Sequence, residues 1–128
     1  VRAEFAQAVL EAAEREPDLV FLSGDLGFMA LEAVRAKLGE RFVNAGVSEQ
    51  NMVSVAAALA HRGFKPLVYS ITPFAVVRPL EQIRNDVCMH DLSVKIVGNG
   101  GGYGYGIMGG THHALEDVAL MRTMPHMS

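Results

Sequence analysis

The chain has 128 residues, half of them hydrophobic and a fifth charged, which is the composition of one globular domain with one core. A net charge of −3 provides no footprint for nucleic acid or for an acidic membrane surface, and no apolar run approaches the roughly 18 residues of a membrane span. The single cysteine, Cys88, has no internal disulfide partner, and no secretory pattern is visible, so a reducing, cytoplasmic compartment is expected. The chain opens on Val1 and closes on Pro125-His-Met-Ser128, which suggests a piece of a longer protein.

In chain order, Phe5, Val9, Leu10 and Ala13 recur at helical spacing, and the pattern predicts an amphipathic helix over 2–16, ended by Pro17-Asp18. Leu19 to Leu22 read as a buried strand and Ser23 to Gly27 as the loop beyond it. A second helix is predicted over 29–38, with Leu31, Val34 and Leu38 on one face and Gly39 as its stop. From Phe42 the chain reads as a short strand, a tight turn at Gly46, then a helix capped by Ser48 and opened by Glu49. Met52 to Leu59 are almost wholly apolar and Ala-rich, as in a helix buried on most sides. Pro66 to Ser70 predict a strand, 75–89 a helix whose start is pushed later by Pro79, Val94 to Val97 a strand, and 113–123 a last helix.

Strands alternating with helices of about ten residues predict an α/β fold: a three-layer α/β/α sandwich with a mainly parallel sheet, formed by 1–128 as one domain. Ligands in such folds bind beyond the carboxyl ends of the strands. The loops Gly24–Phe28, Ala45–Glu49, Ile71–Phe74 and Gly98–His113 are therefore expected on one edge.

Several residues on that edge can carry chemistry. Glu49 is either a helix-start carboxylate that caps and solubilises, or an acid or base held at a cleft. Phe74 is a core side chain or an aromatic wall for a flat ring, and Asp25 orients a ligand or forms a turn. Eight of the thirteen residues from Gly98 to Gly110 are glycine, which suits a mobile loop or close backbone approach to a ligand. Gly104-Tyr-Gly-Ile-Met-Gly109 matches the dinucleotide fingerprint in letters only, because neither the strand directly before it nor the helix opening within it is present. His112 and Glu116 would share a helical face, yet two such residues do not make a metal site, and no metal-ligating set is expected. His112, at the junction of loop and helix, is better placed to donate to a substrate oxygen. Cys88 reads as a small buried hydrophobe rather than a nucleophile.

Three segments carry a resemblance. Phe42 to Ala60, Glu81-Gln-Ile-Arg-Asn85 and Gly109-Gly-Thr-His-His through Glu116-Asp to Pro125-His-Met127 resemble, in order and spacing, the pyrimidine-binding domain of transketolase-like, thiamine-diphosphate-dependent enzymes. The resemblance implies that Glu49 hydrogen-bonds the aminopyrimidine ring nitrogen, Phe74 stacks on that ring, and His112 lies near the substrate oxygen. It places Asp25, Leu26 and Ile71 near the cofactor. It also implies a transfer of two-carbon ketol units between small carbonyl substrates, completed by a diphosphate-binding domain or subunit that holds Mg2+, in a homodimer or heterotetramer. Related possibilities are a deoxyxylulose-phosphate-synthase-like enzyme and the beta chain of a 2-oxo acid dehydrogenase. A non-catalytic dimerisation module and a nucleotide-binding domain are alternatives of other classes. Met108 stands where transketolases commonly carry an acidic residue, Gly110 where they carry Pro, and Ile71 where many carry an aromatic, departures that suit a donor more apolar than a ketose phosphate or of a different shape.

Overall fold

The computed structural model describes residues 2–128. Its elements run α1 (Arg2–Arg15), β1 (Leu19–Ser23), α2 (Glu32–Leu38), β2 (Phe42–Asn44), α3 (Glu49–His61), β3 (Lys65–Ile71), α4 (Thr72–Val76), α5 (Leu80–Gln82, continuing as a wide π-helical turn over Ile83–Cys88), β4 (Lys95–Asn99) and α6 (Asp117–Arg122). The four strands form one sheet in the order β2-β1-β3-β4, and every pairing is parallel. The expected parallel α/β architecture is thus the observed one, and the four strand-end loops do share an edge.

Side-chain alternation along the strands builds the layers. Leu19, Phe21 and Tyr69 point to one face, where they pack with Ala6, Val9 and Ala13 of α1 and with Val34 and Leu38 of α2. Val20, Leu22 and Val68 point to the other face and meet Met52 and Ala56 of α3. One residue further along, on the adjacent face of α3, Val53 and Ala57 pack on Ile83, Val87 and Cys88 of α5. The Ala-rich composition of α3 follows, since the helix is wedged between sheet and α5 on two faces. Its third face is open, with Val55 exposed. Ser54 on α3 donates to Asp86 on α5 at 2.6 Å, fixing the two helices together. All of β1 is buried, as both faces of a central parallel strand are covered.

The chain leaves β1 for β2 on one side and crosses back through α3 to β3 on the other. That reversal makes a crevice beyond the carboxyl ends of β1 and β3, the position where doubly wound folds bind ligands. The crevice is drawn together by the Gly24 N–H, which donates to the Tyr69 carbonyl at 3.0 Å.

Four local expectations are corrected. Helix α2 begins at Glu32 rather than 29, because residues 27–31 form turns with Met29 at φ 57°. Ser48 precedes α3 but makes no side-chain cap; only its carbonyl accepts, from the Met52 N–H at 2.9 Å. The single helix predicted over 75–89 starts earlier, at Thr72, and is broken at Val77–Pro79, since a proline disfavours helical geometry in the residue before it. Helix α6 begins at Asp117 rather than 113, because Ala114 exchanges two backbone hydrogen bonds with Gly102 and is held out of helical geometry.

The packing makes two effects measurable. Phe21 is fully buried among Phe5, Phe42 and Tyr69, its ring stacked on Phe42 at 5.3 Å between centroids. Phe21→Ala should therefore lower stability by about 3–5 kcal/mol, read as a shifted denaturation midpoint with unchanged slope. Burial pushes both the Cys88 thiol and the Tyr69 phenol above their ordinary values. Groups raised in the folded state contribute their stability in full below the unfolded values and lose it as pH rises through the folded ones. The unfolding midpoint should fall through the alkaline range, less steeply in Cys88→Ala, and native Cys88 should alkylate far more slowly at pH 8 than the unfolded chain does.

Candidate active site

The crevice is built around one carboxylate. Glu49 is the first residue of α3, where the free N–H groups of the first turn favour a negative charge. It is 1% exposed, so its charge does not face solvent. The Ser70 hydroxyl, from the last residue but one of β3, donates to Oε1 at 2.9 Å. Arg78 Nη1, from the break between α4 and α5, donates to Oε2 at 2.6 Å. Gly24 makes this arrangement possible: a Cβ there would stand 2.9 Å from the Ser70 hydroxyl and 3.2 Å from Glu49 Oε1. The glycine after β1 is thus a matter of close approach, not of turn conformation.

Phe74 lies in α4, which starts directly from the end of β3. Thr72 anchors that start by donating to the Asn99 carbonyl at 3.0 Å, and Gly98 leaves room for it, since a Cβ there would meet Thr72 Oγ1 at 2.7 Å. The Phe74 ring is flanked by two groups. The Arg78 guanidinium sits over its face, 4.1 Å from the centroid, and His112 meets it edge-on at 5.1 Å.

The glycine-rich loop is folded over this end of the sheet. Asn99 donates to the Tyr105 hydroxyl at 2.8 Å, and Gly100 accepts the Tyr105 ring at a distance no Cβ would allow. His113 Nε2 bonds the Gly106 carbonyl at 2.9 Å, and the Gly102–Ala114 pairing closes the loop's base. The ring of His112 makes edge contacts with both Phe74 and Tyr105, and its Nδ1 meets the Thr111 hydroxyl at 2.9 Å. Glu49, Arg78, Phe74, His112 and Tyr105 form one continuous chain of contacts.

The other expected residues stand apart from that chain. Asp25, at φ 59°, accepts from Asn44 at 2.8 Å, and Asn44 in turn accepts from the Gly46 N–H, so this trio ties the loops after β1 and β2 together. The Leu26 side chain packs on the α1–α2 core, and its carbonyl accepts from Ser23 at 2.8 Å. Ile71 ends β3 half-buried, in register with Asn99. His112 and Glu116 do not share a helical face, because both precede α6. Among the described residues no three His, Cys, Asp or Glu side chains come together as a metal site.

Ser70, Arg78, Gly24 and Tyr105 join the site without a sequence motif to mark them. The order along the chain does hold one signal for Arg78: it follows Phe74 by four residues, the spacing that shares a helical face.

The whole chain, residues 1–128, matches the family model described as transketolase, pyrimidine binding domain. It is 39% identical over 128 residues to a Phocaeicola vulgatus protein named as one of the subunits of apulose-4-phosphate transketolase, covering 99% of this chain and 41% of that protein. It is 34% identical over 125 residues to a Synechococcus 1-deoxy-D-xylulose-5-phosphate synthase, covering 96% of this chain and 19% of that one. A solved split-gene transketolase, described as an inactive beta4 tetramer, superimposes with a TM-score of 0.80 at 38% identity, over 94% of this chain and 39% of its own. A Campylobacter jejuni transketolase superimposes with a TM-score of 0.82 over 97% of this chain and 20% of its own, at 21% identity, a likeness of fold. The chain therefore spans about two fifths or less of the relatives it matches. By its fold, by its crevice and by a match running from end to end, the chain belongs to the family of transketolase pyrimidine-binding domains.

Proposed function

We propose that this chain is the aminopyrimidine-binding half of a thiamine-diphosphate-dependent transferase that moves two-carbon ketol units between carbonyl substrates. The observation that carries the reading is a buried carboxylate, Glu49, at the switch point of the sheet, bonded to the guanidinium that covers the face of Phe74. The residues present fit such a ring. A flat guanidinium already rests on Phe74 and donates to Glu49, so the crevice admits a planar group with N–H donors in its plane.

In this reading Glu49 holds a proton between its carboxyl and the ring nitrogen, out of reach of water. Ser70 fixes the other carboxyl oxygen, so that the carboxyl keeps one orientation through turnover. Phe74 sets the plane of the ring. His112, braced by two aromatic rings, donates to the oxygen of the reacting carbonyl. Thiamine diphosphate, when bound, supplies the carbon centre and electron sink that amino-acid side chains lack.

The other half of the site comes from a diphosphate-binding domain that holds Mg2+, and the active assembly is a dimer or heterotetramer in the cytoplasm. Supporting a partner on this edge, the loops after β1, β2 and β4 expose Phe28, Met29, Val47, Ile107 and Met108, more large apolar surface than a free edge ordinarily carries. The names of two relatives, one a transketolase subunit and the other a split-gene transketolase, support a partner on a separate chain.

Calorimetric titration of thiamine diphosphate with magnesium tests the reading, on this chain alone and then with a diphosphate-domain partner. Binding is expected in the mixture, and Phe74→Ala should weaken it. Glu49→Gln should leave the fold intact, as seen by circular dichroism, and reduce turnover of the assembled enzyme by about 10²–10⁴-fold. Turnover like that of the unsubstituted protein would overturn the assignment of Glu49.

A further inference from the structure

We propose that Arg78 is an internal stand-in for the cofactor's pyrimidine, and that its withdrawal from the crevice opens the site. The proposal rests on the pyrimidine-site reading above and adds a residue that governs cofactor entry.

The geometry is specific. One planar group makes both contacts that a stacked aminopyrimidine would make: it covers the Phe74 ring at 4.1 Å, and one N–H reaches Glu49 Oε2 at 2.6 Å. The guanidinium is flat, delocalised and edged with N–H donors, and an aminopyrimidine whose ring nitrogen carries a proton is likewise a flat, delocalised group that presents an N–H in its plane. The two are mutually exclusive at Glu49. Ser70 donates to its Oε1 and Arg78 to its Oε2, and the carboxyl is 1% exposed while the guanidinium is in place, so a ring reaching Oε2 over Phe74 would have to take the guanidinium's position.

The fold gives a reason for the plug and a way to remove it. A carboxylate buried beside Phe74 without a cation would be strongly destabilising, so the unliganded chain is held together here by Arg78. The Arg78 side chain is nevertheless 38% exposed. It can swing outward by rotamer change while its backbone stays fixed, because the Arg78 N–H is bonded to the Pro73 carbonyl at 3.2 Å and Pro79 follows it. The cation–π contact is exchanged for the stacking of the incoming ring.

Arg78 therefore competes with the cofactor for one shelf, and apparent affinity is reduced by the fraction of molecules in which the shelf is filled. Weakening that competition should act on the unliganded state, whereas removing a residue that held the cofactor would act on the bound one. The two roles predict opposite signs.

The experiment compares Arg78→Met and Arg78→Lys with the unsubstituted chain, each assembled with the diphosphate-binding partner, by stopped-flow and calorimetric titration of thiamine diphosphate with magnesium. The same variants of the assembly are titrated by NMR with 4-amino-2,5-dimethylpyrimidine, which reports on the shelf without the diphosphate end. Arg78→Met should bind both probes about tenfold tighter, through faster association at unchanged dissociation. Arg78→Lys keeps the charge and hence the fold but lacks the plane, and should fall between. Equal or weaker binding by both variants, with Glu49→Gln still weakening the unsubstituted complex, overturns the stand-in role and leaves the pyrimidine site standing. Binding unaffected by Glu49→Gln and Phe74→Ala as well overturns both.

Discussion

A carboxylate taken out of water has to be answered by donors, and the carboxyl end of this sheet is arranged to answer Glu49. The start of α3 favours its negative charge, β3 sends up Ser70, and the break after α4 sends in Arg78. Each donor depends on a different part of the fold. Ser70 reaches Oε1 only because Gly24 follows the strand beside it. Arg78 stands directly before Pro79, where the helix is interrupted and the backbone turns. Isolated, a buried carboxylate costs several kcal/mol, which is comparable with the whole stability of a domain this size. The site and the fold are thus coupled through one side chain.

The sheet supplies what these donors need, a rigid frame whose strands all end on one edge. Because β1 is covered on both faces, its end is fixed from above and below by α1, α2 and α3. The crossover through α3 then delivers Glu49 to the crevice between β1 and β3. Placing the acid on the helix that reverses the sheet's winding gives it two strand ends to pack against instead of one.

Much of this is legible in the sequence. Apolar runs bounded by Gly and Pro mark the order of strands and helices, and Gly39 and Gly46 end or turn the chain where expected, both at positive φ. The alternatives for Glu49 and Phe74 are left open by the sequence, because burial and contacts are set by residues far along the chain. Interactions between distant residues leave no such trace. Arg78 looks like one more surface charge, since nothing in its neighbours announces a carboxylate 29 positions earlier. The last helix, expected over 113–123, begins only at Asp117, because its start is set by Ala114 pairing with Gly102 across the loop. The apolar positions over 75–89 mislead in the same way: they keep a regular spacing across a backbone that does not.

The glycine-rich loop shows the same logic from the other side. Its composition suggests mobility, since glycine brings maximal backbone freedom and no side chain to pack. Yet its tyrosines and histidines are tied down: Tyr105 against Gly100 and Asn99, His113 to a carbonyl of the loop, His112 against two rings. In this loop the glycines permit close approach and the aromatics fix it. The imidazole of His112 is consequently positioned by Phe74, the same ring that carries Arg78. One aromatic ring thus links the buried ion pair of Glu49 and Arg78 to the imidazole at the base of the glycine-rich loop.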